Sequence, residues 1–295
     1  MKASLSFPVL LLLVTTATSA SAGNVLFVNN NGSDSGIATA LASDGHSVTT
    51  SNLDPTAPGA NTFFQGANLN NYCAVVWSAA YARSVADLSG ATNTLSSWVT
   101  SGGHLLITSP DGVASSGTNP NGQLDLDNLI GGAGGRDQGY NFSTVANISN
   151  SLTTGLFDIR NQQPSIPGDT DSLCGPLSVG TVGVVTSPNS SCPSEPGYVW
   201  TLRTLGSGQV GFITSGNFNG TDLTDPDWTS NTIPGHGVYN AGLRNFVNAA
   251  CTASNVATPV PSTTPPVTAL LSALLLAVSA GFFWLRRART SGGHN

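Results

Sequence analysis

The sequence predicts an α/β domain whose mostly parallel sheet carries helices on both faces, followed by a C-terminal transmembrane helix. Short apolar runs bounded by turn residues alternate with segments of helical periodicity, as in right-handed βαβ crossovers. An uncharged apolar run near the C-terminus has the length of a membrane span, which needs about 20 residues. The first residues have the organisation of an export signal. We therefore expect one exterior domain between a leader and an anchor.

Residues 1–22 are predicted to be a cleaved signal peptide. Lys2 supplies the positive charge, an apolar run follows, and the small residues Ala20 and Ala22 precede Gly23. The apolar run is about half of the length that spans a bilayer, and no charged stop follows it. The exterior domain, residues 23–251, is therefore expected to begin at the new N-terminus.

Strands and helices alternate in the first half of this domain. Four apolar segments predict strands: NVLFV from Asn24, SVTTS from Ser47, YCAVVWS from Tyr72 and HLLITS from His104. Two helices are predicted between them from apolar residues at helical spacing, namely Ile37, Ala40 and Leu41, and Leu95, Trp98 and Val99. Asp44-Gly45 and Gly102-Gly103 are typical helix ends.

The second half is less regular. A short helix is predicted over residues 124–130, and a closing helix has Leu243, Phe246, Val247 and Ala250 on its inner face. Three strands are predicted over residues 182–186, 198–203 and 210–214, with the hairpin-like LGSGQ between the last two. We interpret Trp77 and Trp98 as core residues, while Trp200 and Trp228 are left open.

The exterior region is acidic and contains no lysine. Its five arginines stand against fifteen acidic residues, which gives a net charge of −10. Such a surface repels phosphate backbones, so nucleic acid is not an expected partner.

Four cysteines lie in the exterior domain, and an even number in an exported protein favours two disulfides. Three connectivities are open. We favour Cys174–Cys192, which closes a short excursion rich in Pro, Gly and Ser, and Cys73–Cys251, which ties a central strand to the last helix. A catalytic cysteine is a weaker alternative, because no cysteine lies in a Gly-flanked turn after a strand.

The C-terminal part is predicted to anchor the protein. Residues 252–266 form a Pro/Ser/Thr-rich linker, and residues 267–285 form the transmembrane helix. Residues 286–295 form a basic cytoplasmic tail, in which the membrane stop is Arg286, Arg287 and Arg289.

The exterior domain resembles the class I glutamine amidotransferase-like (ThuA-like, flavodoxin-like) α/β fold. The resemblance rests on VLFVNN, DGHSVTT, CAVVWS, SSWVTSGGHLLITS, TTGLFDI, LGSGQVGFIT and AGLRNFVNAA. It implies a nucleophilic cysteine in the sharp turn after a central strand, backed by a His and a Glu. Here that turn reads Ser109-Pro110-Asp111-Gly112, and no His-x-Glu pair exists. Pro110 also lacks the N–H that would contribute to an oxyanion hole. We therefore expect no glutamine hydrolysis.

The C-terminus resembles the PEP-CTERM and IPTL-CTERM sorting signals, through TPVPSTTPP, the apolar helix and RRAR. The resemblance implies processing by an exosortase-type enzyme and transfer to the outer surface or matrix of a Gram-negative cell. The sorting motif would be Val260, Pro261, Ser262 and Thr263. The Glu of the first signal and the Ser-Glu-Trp of the second are absent.

A hydrolase is the alternative function. His236, in a PGHG turn before the last helix, is the best general-base candidate, with Ser109 as nucleophile and Asp111 or Asp227 as orienting acid. The GxSxG elbow that would strengthen this set is absent. His46 and His104 open strands and are expected to be structural.

Two aspartate-rich loops are weak calcium candidates, because closely spaced carboxylates can hold Ca²⁺ through hard oxygen ligands. Neither matches an EF-hand, and no other cofactor is expected. The candidate ligands are Asp169, Asp171, Asp222, Asp225 and Asp227.

Together these patterns predict an exported, non-catalytic domain that acts in cell-envelope or extracellular-matrix interaction. Its expected partners are the export machinery, the membrane, an exosortase-type enzyme, and an envelope polysaccharide or surface protein. The alternative is a secreted hydrolase that acts on carbohydrate or peptide material.

Intact mass of the mature protein, purified from cells without reductant, tests the leader and the tail. We expect a chain that begins at Gly23, since the small residues before it suit the signal peptidase. A chain that ends near Pro261 indicates sorting, whereas one that reaches Asn295 indicates a plain anchor. A chain that retains Met1 would contradict the predicted signal peptide.

Overall fold

The structure is a computed structural model, and it describes residues 22–29, 35–53, 59–79, 87–108, 121–132, 134–136, 144–162, 172–187, 192, 196–214 and 236–256. The predicted leader, linker, sorting motif, transmembrane helix and basic tail lie outside these residues, except for the last residue of the leader and the start of the linker. Among the described helices, none is long and apolar enough to cross a membrane.

The strands are β1 Asn24–Asn29, β2 Ser47–Asn52, β3 Ala74–Ser78, β4 His104–Thr108, β5 Gly135–Arg136, β6 Ser172–Leu173, β7 Thr181–Ser187, β8 Gly197–Leu205 and β9 Gly208–Ile213. The helices are α1 Ser35–Ser43, α2 Gly59–Gly66, α3 Ser89–Thr100, α4 Asn121–Ile130 and α5 His236–Val256, with a 3₁₀ turn at Leu69–Asn71. The sequence anticipated all of them except α2, the 3₁₀ turn and the two-residue strands β5 and β6.

The strands form one mixed sheet in the order β2-β1-β3-β4-β9-β8-β6-β5, with β7 paired to β8. The pairs from β2 to β9 are parallel, whereas β8, β7, β6 and β5 pair in antiparallel fashion. The expectation of a mostly parallel sheet was therefore right for only one half. β8 and β9 must pair in antiparallel fashion because the connection between them is tight, whereas parallel neighbours need a crossover of a dozen or more residues.

Two apolar cores cover the parallel half of the sheet, one on each face. Val25 and Phe27 of β1 pack with α1 and α5, whereas Leu26 and Val28 of the same strand pack with α2, α3 and α4. Successive side chains of a strand point to opposite faces, so an all-apolar strand must be covered twice. This explains why β1 and β3 read as continuous apolar runs.

Two disulfides close the fold, Cys73–Cys251 and Cys174–Cys192. This is the connectivity that the sequence favoured among the three. The first joins the residue before β3 to the C-terminal part of α5 over a separation of 178 residues, and the second closes a separation of 18. Disulfides persist in oxidising compartments, so they indicate an extracytoplasmic environment.

Removing each disulfide tests their relative contributions. Because the entropy lost by the unfolded chain grows with the closed loop, we expect Cys73→Ala/Cys251→Ala to lower the free energy of unfolding by about 5 kcal/mol. The matched pair Cys174→Ala/Cys192→Ala should lower it by about 3 kcal/mol. Urea denaturation of the three proteins measures both values, and a larger loss in the second pair would contradict this expectation.

Candidate functional site

Buried polar residues lie where the parallel strands end. Asn29, Ser78 and Thr108 are the last residues of β1, β3 and β4, and Thr214 directly follows β9. Asn29 is in register with Ser78, and Ser78 with Thr108, so they form one row along the sheet edge. All four are at most 3% exposed. Ligands of open α/β sheets bind outside this carboxyl edge, which makes it the first candidate site.

Helix α5 brings a further polar residue to the same edge. Its C-terminal part is fixed at the opposite edge by Cys251, which is bonded to Cys73 just before β3. With a rise of 1.5 Å per residue, Asn240 lies about 16 Å from Cys251 along the helix. This distance is about the length of β3, so Asn240 lies toward the carboxyl edge of the sheet. A Cβ at Gly242 would lie 2.6 Å from Trp200 Cζ3, and Trp200 pairs with Ile213 at the end of β9.

Several polar atoms at this edge have no hydrogen-bond partner within the described structure. They are Thr108 Oγ1, Thr214 Oγ1 and both side-chain amide atoms of Asn240. Asn240 is fully buried. Unsatisfied buried polar atoms are rare in folded proteins, and each one calls for an explanation. Amide and hydroxyl groups can both donate and accept hydrogen bonds, so these atoms are suited to a ligand that does the same.

Asn245, one turn further along α5, shows what a structural asparagine looks like in this helix. Its Oδ1 accepts the N–H of Phe157 at 2.9 Å, and its Nδ2 donates to the carbonyls of Leu152 at 3.2 Å and Phe157 at 2.9 Å. Both amide atoms of Asn245 are therefore hydrogen-bonded, and they hold the segment from Leu152 to Phe157. Asn240 has the same burial without these contacts.

The described groups at the carboxyl edge are electrically neutral. Hydroxyl and amide side chains do not change charge near pH 7, so they bind and orient rather than transfer protons. Patterns of titratable residues in the sequence do not reveal these groups, because none of them titrates near neutral pH. Asn240 was detectable as a polar residue three positions before Leu243, on the apolar face of the closing helix.

The two described histidines lie elsewhere. His46 precedes β2 and His104 begins β4, so both are at the amino edge of the sheet. His46 Nδ1 accepts the N–H of Gly23 at 3.4 Å, and the His104 ring packs edge-on against Phe246 with centroids 6.2 Å apart. Burial lowers the pKa of both imidazoles below the ordinary value of 6.5. Both are therefore neutral and buttress the fold.

Most of the catalytic and calcium candidates from the sequence lie outside the described residues: Ser109, Asp111, Asp169, Asp171, Asp222, Asp225 and Asp227. His236 begins α5, and only its backbone is described. Within the described part of the chain, no group of three or more His, Cys, Asp or Glu residues could hold a metal ion.

No family model and no curated protein matches this chain. Solved structures do match it. A cytoplasmic protein of Salmonella typhimurium LT2 aligns with a TM-score of 0.50 and 10% identity, over 77% of this chain and 99% of that one. A protein of Bacteroides uniformis ATCC 8492 described as ThuA-like aligns at 0.46 and 10%, over 82% and 95%. The carbohydrate deacetylase Agd3 aligns at 0.47 and 15%, over 77% of this chain and 33% of its own length. The first likeness supports the α/β fold alone, and the other two carry no argument about function.

Two asparagine substitutions in α5 test the carboxyl-edge site. Asn240→Leu removes an unsatisfied buried amide, so we expect the free energy of unfolding to rise by about 1 kcal/mol. The control Asn245→Leu leaves a buried N–H and two carbonyls without their hydrogen-bond partners. It should lower the free energy of unfolding by at least about 2 kcal/mol. Urea denaturation measures both. A loss of stability in Asn240→Leu similar to that of the control would show that Asn240 is structural.

Proposed function

We propose that this chain is an exported, surface-anchored or sorted domain of amidotransferase-like fold that does not catalyse a reaction, and that it acts in envelope or matrix interaction. The observation that carries the proposal is the chemistry of the carboxyl edge. In catalytic members of the fold this edge holds a nucleophile. Here the parallel strands end in Asn29, Ser78, Thr108 and Thr214, which are hydrogen-bonding groups without charge.

The turn after β4 supports the same proposal. β4 ends at Thr108, so the following Ser109-Pro110 occupies the sequence position of the nucleophile turn in the resembling family. A cysteine thiolate attacks at neutral pH, whereas a serine hydroxyl requires an adjacent base. Proline at the next position lacks the N–H that normally stabilises the oxyanion. Glutamine hydrolysis would therefore lack both its nucleophile and one of its stabilising donors.

The disulfides and the two ends of the chain support an exterior, membrane-associated role. The two disulfides belong to an oxidising compartment. The leader, the linker and the basic-flanked apolar segment 267–285 support export and anchoring, and the Val260-Pro261-Ser262-Thr263 motif supports exosortase-type sorting. An acidic domain without lysine suits contact with uncharged or cationic material rather than nucleic acid.

One observation favours the alternative, a surface hydrolase. Ser109 directly follows β4, and α5 begins at His236, with its N-terminal half near the carboxyl edge. In the sequence, the serine candidate therefore comes directly after a parallel strand, and the histidine candidate begins the helix whose N-terminal half lies near the carboxyl ends of these strands. A serine nucleophile with a histidine base would require the two side chains to converge there.

Sedimentation with isolated envelopes of the producing cells tests the proposal. The mature protein, extracted in mild detergent, is expected to pellet with envelopes and to release no soluble sugar or peptide fragments. Ser109→Ala and His236→Ala should leave binding unchanged, because neither residue is needed for a non-catalytic role. Absence of binding would refute the proposal. Release of fragments that disappears in both variants would establish the hydrolase instead.

A further inference from the structure

An open groove lies on the helical surface between α3 and the segment that follows α2. It has a volume of about 350 Å³, near the lower end of the roughly 300–1,000 Å³ of small-molecule sites. We name it the Trp98 groove, after the aromatic residue among its lining side chains. Its polar and aromatic lining side chains are Asn68, Asn70, Thr94, Ser97, Trp98 and Ser101.

One face of α3 provides half of the lining. Thr94, Ser97, Trp98 and Ser101 are spaced at i, i+3, i+4 and i+7, which places them on one side of the helix. The neighbouring stripe of α3, which includes Leu95 and Val99, is fully buried against the sheet. This packing fixes the helix, and with it the backbone positions that carry the lining side chains.

The opposite wall is also held in place. It begins at Ala67, directly after α2, and Leu69 anchors it at 5% exposure. Asn61 of α2 ties the two helices together: its Oδ1 accepts the N–H of Ala91 at 2.8 Å, and its Nδ2 donates to the carbonyl of Asp87 at 2.9 Å. Both walls thus exist before a ligand arrives, which reduces the entropy lost on binding.

Trp98 differs from the other described tryptophans. Trp77 and Trp200 are at most 1% exposed, whereas Trp98 is half-buried and lines the groove. The expectation that Trp98 is a core residue was therefore only partly right. A Cβ at Gly103 would lie 2.3 to 2.7 Å from three atoms of its ring, so one ring face is packed on the Gly103 backbone. This contact fixes the orientation of the indole.

The lining is uncharged in a domain that is otherwise strongly acidic. None of the described residues that line the groove is charged, although the exterior region has five arginines and fifteen acidic residues. The amides of Asn68 and Asn70 are exposed at its rim. An indole surface surrounded by amides and hydroxyls matches a sugar, whose C–H face is apolar and whose hydroxyls donate and accept hydrogen bonds.

We propose that the Trp98 groove binds a segment of a neutral oligosaccharide, with a sugar ring against Trp98 and its hydroxyls bonded to Asn68, Asn70 and Ser97. This proposal rests on the proposed envelope interaction and specifies its ligand. The groove is separate from the carboxyl edge. The 3₁₀ turn precedes β3 and Ser101 precedes β4, so the groove lies toward the amino ends of these strands.

The test is calorimetric titration of the full mature protein with cellohexaose, laminarihexaose, maltohexaose and chitohexaose, and with polygalacturonate as the acidic comparison. We expect at least one neutral probe to bind with an affinity that is insensitive to salt, because no charge is involved. Trp98→Ala and Asn68→Ala/Asn70→Ala should each weaken that binding at least tenfold. The control is Asn93→Ala, since Asn93 lies on the other flank of α3 in a cleft with Arg203 and should leave binding unchanged.

The double asparagine variant keeps the test decisive if loss of the Trp98–Gly103 contact impairs folding, because both amides are exposed. The assignment is overturned if no neutral probe binds, if polygalacturonate is preferred, or if Asn68→Ala/Asn70→Ala binds as the parent does. The assignment is also overturned if sedimentation velocity shows that the parent is a dimer and that Asn68→Ala/Asn70→Ala is a monomer, because a second copy of the chain would then cover the groove.

Envelope sedimentation of the same variant separates the two proposals. If Asn68→Ala/Asn70→Ala still pellets with envelopes and binds no less oligosaccharide than the parent, the envelope function stands and the groove assignment fails. If the parent binds a neutral oligosaccharide through the groove but does not pellet with envelopes, the groove assignment stands and the envelope function fails.

Discussion

The covalent link between Cys73 and Cys251 fixes the position of α5 on the sheet, and much of the structure depends on it. It joins the start of a central strand to the last described helix, across a separation of 178 residues. From this fixed point the apolar face of the helix packs along the strands, where Phe246 and Val247 cover one face of the sheet. A long separation makes this link effective, because an unlinked chain of that length would gain much entropy by unfolding.

The same link decides what lies at the other end of the helix. With its C-terminal part tied to the amino edge of the sheet, α5 extends its N-terminal half to the carboxyl edge. Asn240 is thereby buried in the half of the helix that lies toward the ends of the parallel strands, and its side-chain amide has no hydrogen-bond partner in the described structure. The disulfide and the apolar packing of α5 thus together hold Asn240 in this half of the helix.

The two ends of the sheet offer different kinds of chemistry. At the carboxyl edge, the polar groups are buried hydroxyls and the amides of Asn29 and Asn240. Toward the amino edge, α3 presents Trp98 beside exposed amides on a rigid groove. Neither set contains a group that titrates near neutral pH. Both are therefore suited to hold uncharged polar ligands by hydrogen bonding and contact, which is consistent with a binding role outside the cell.

The sequence by itself determined the local structure. The apolar runs from Asn24 and His104 and the helical spacing of Leu243 to Ala250 each predicted the correct element, because the period of apolar residues depends only on neighbours in the chain. It missed α2, which packs against α3, and its assignment of Trp98 to the core was only partly right. Only the tertiary structure decided that half of the sheet is antiparallel and that, among the described residues, the buried Asn240 amide has no hydrogen-bond partner. Strand neighbours and hydrogen-bond partners far apart in the chain depend on packing, and no local pattern encodes that.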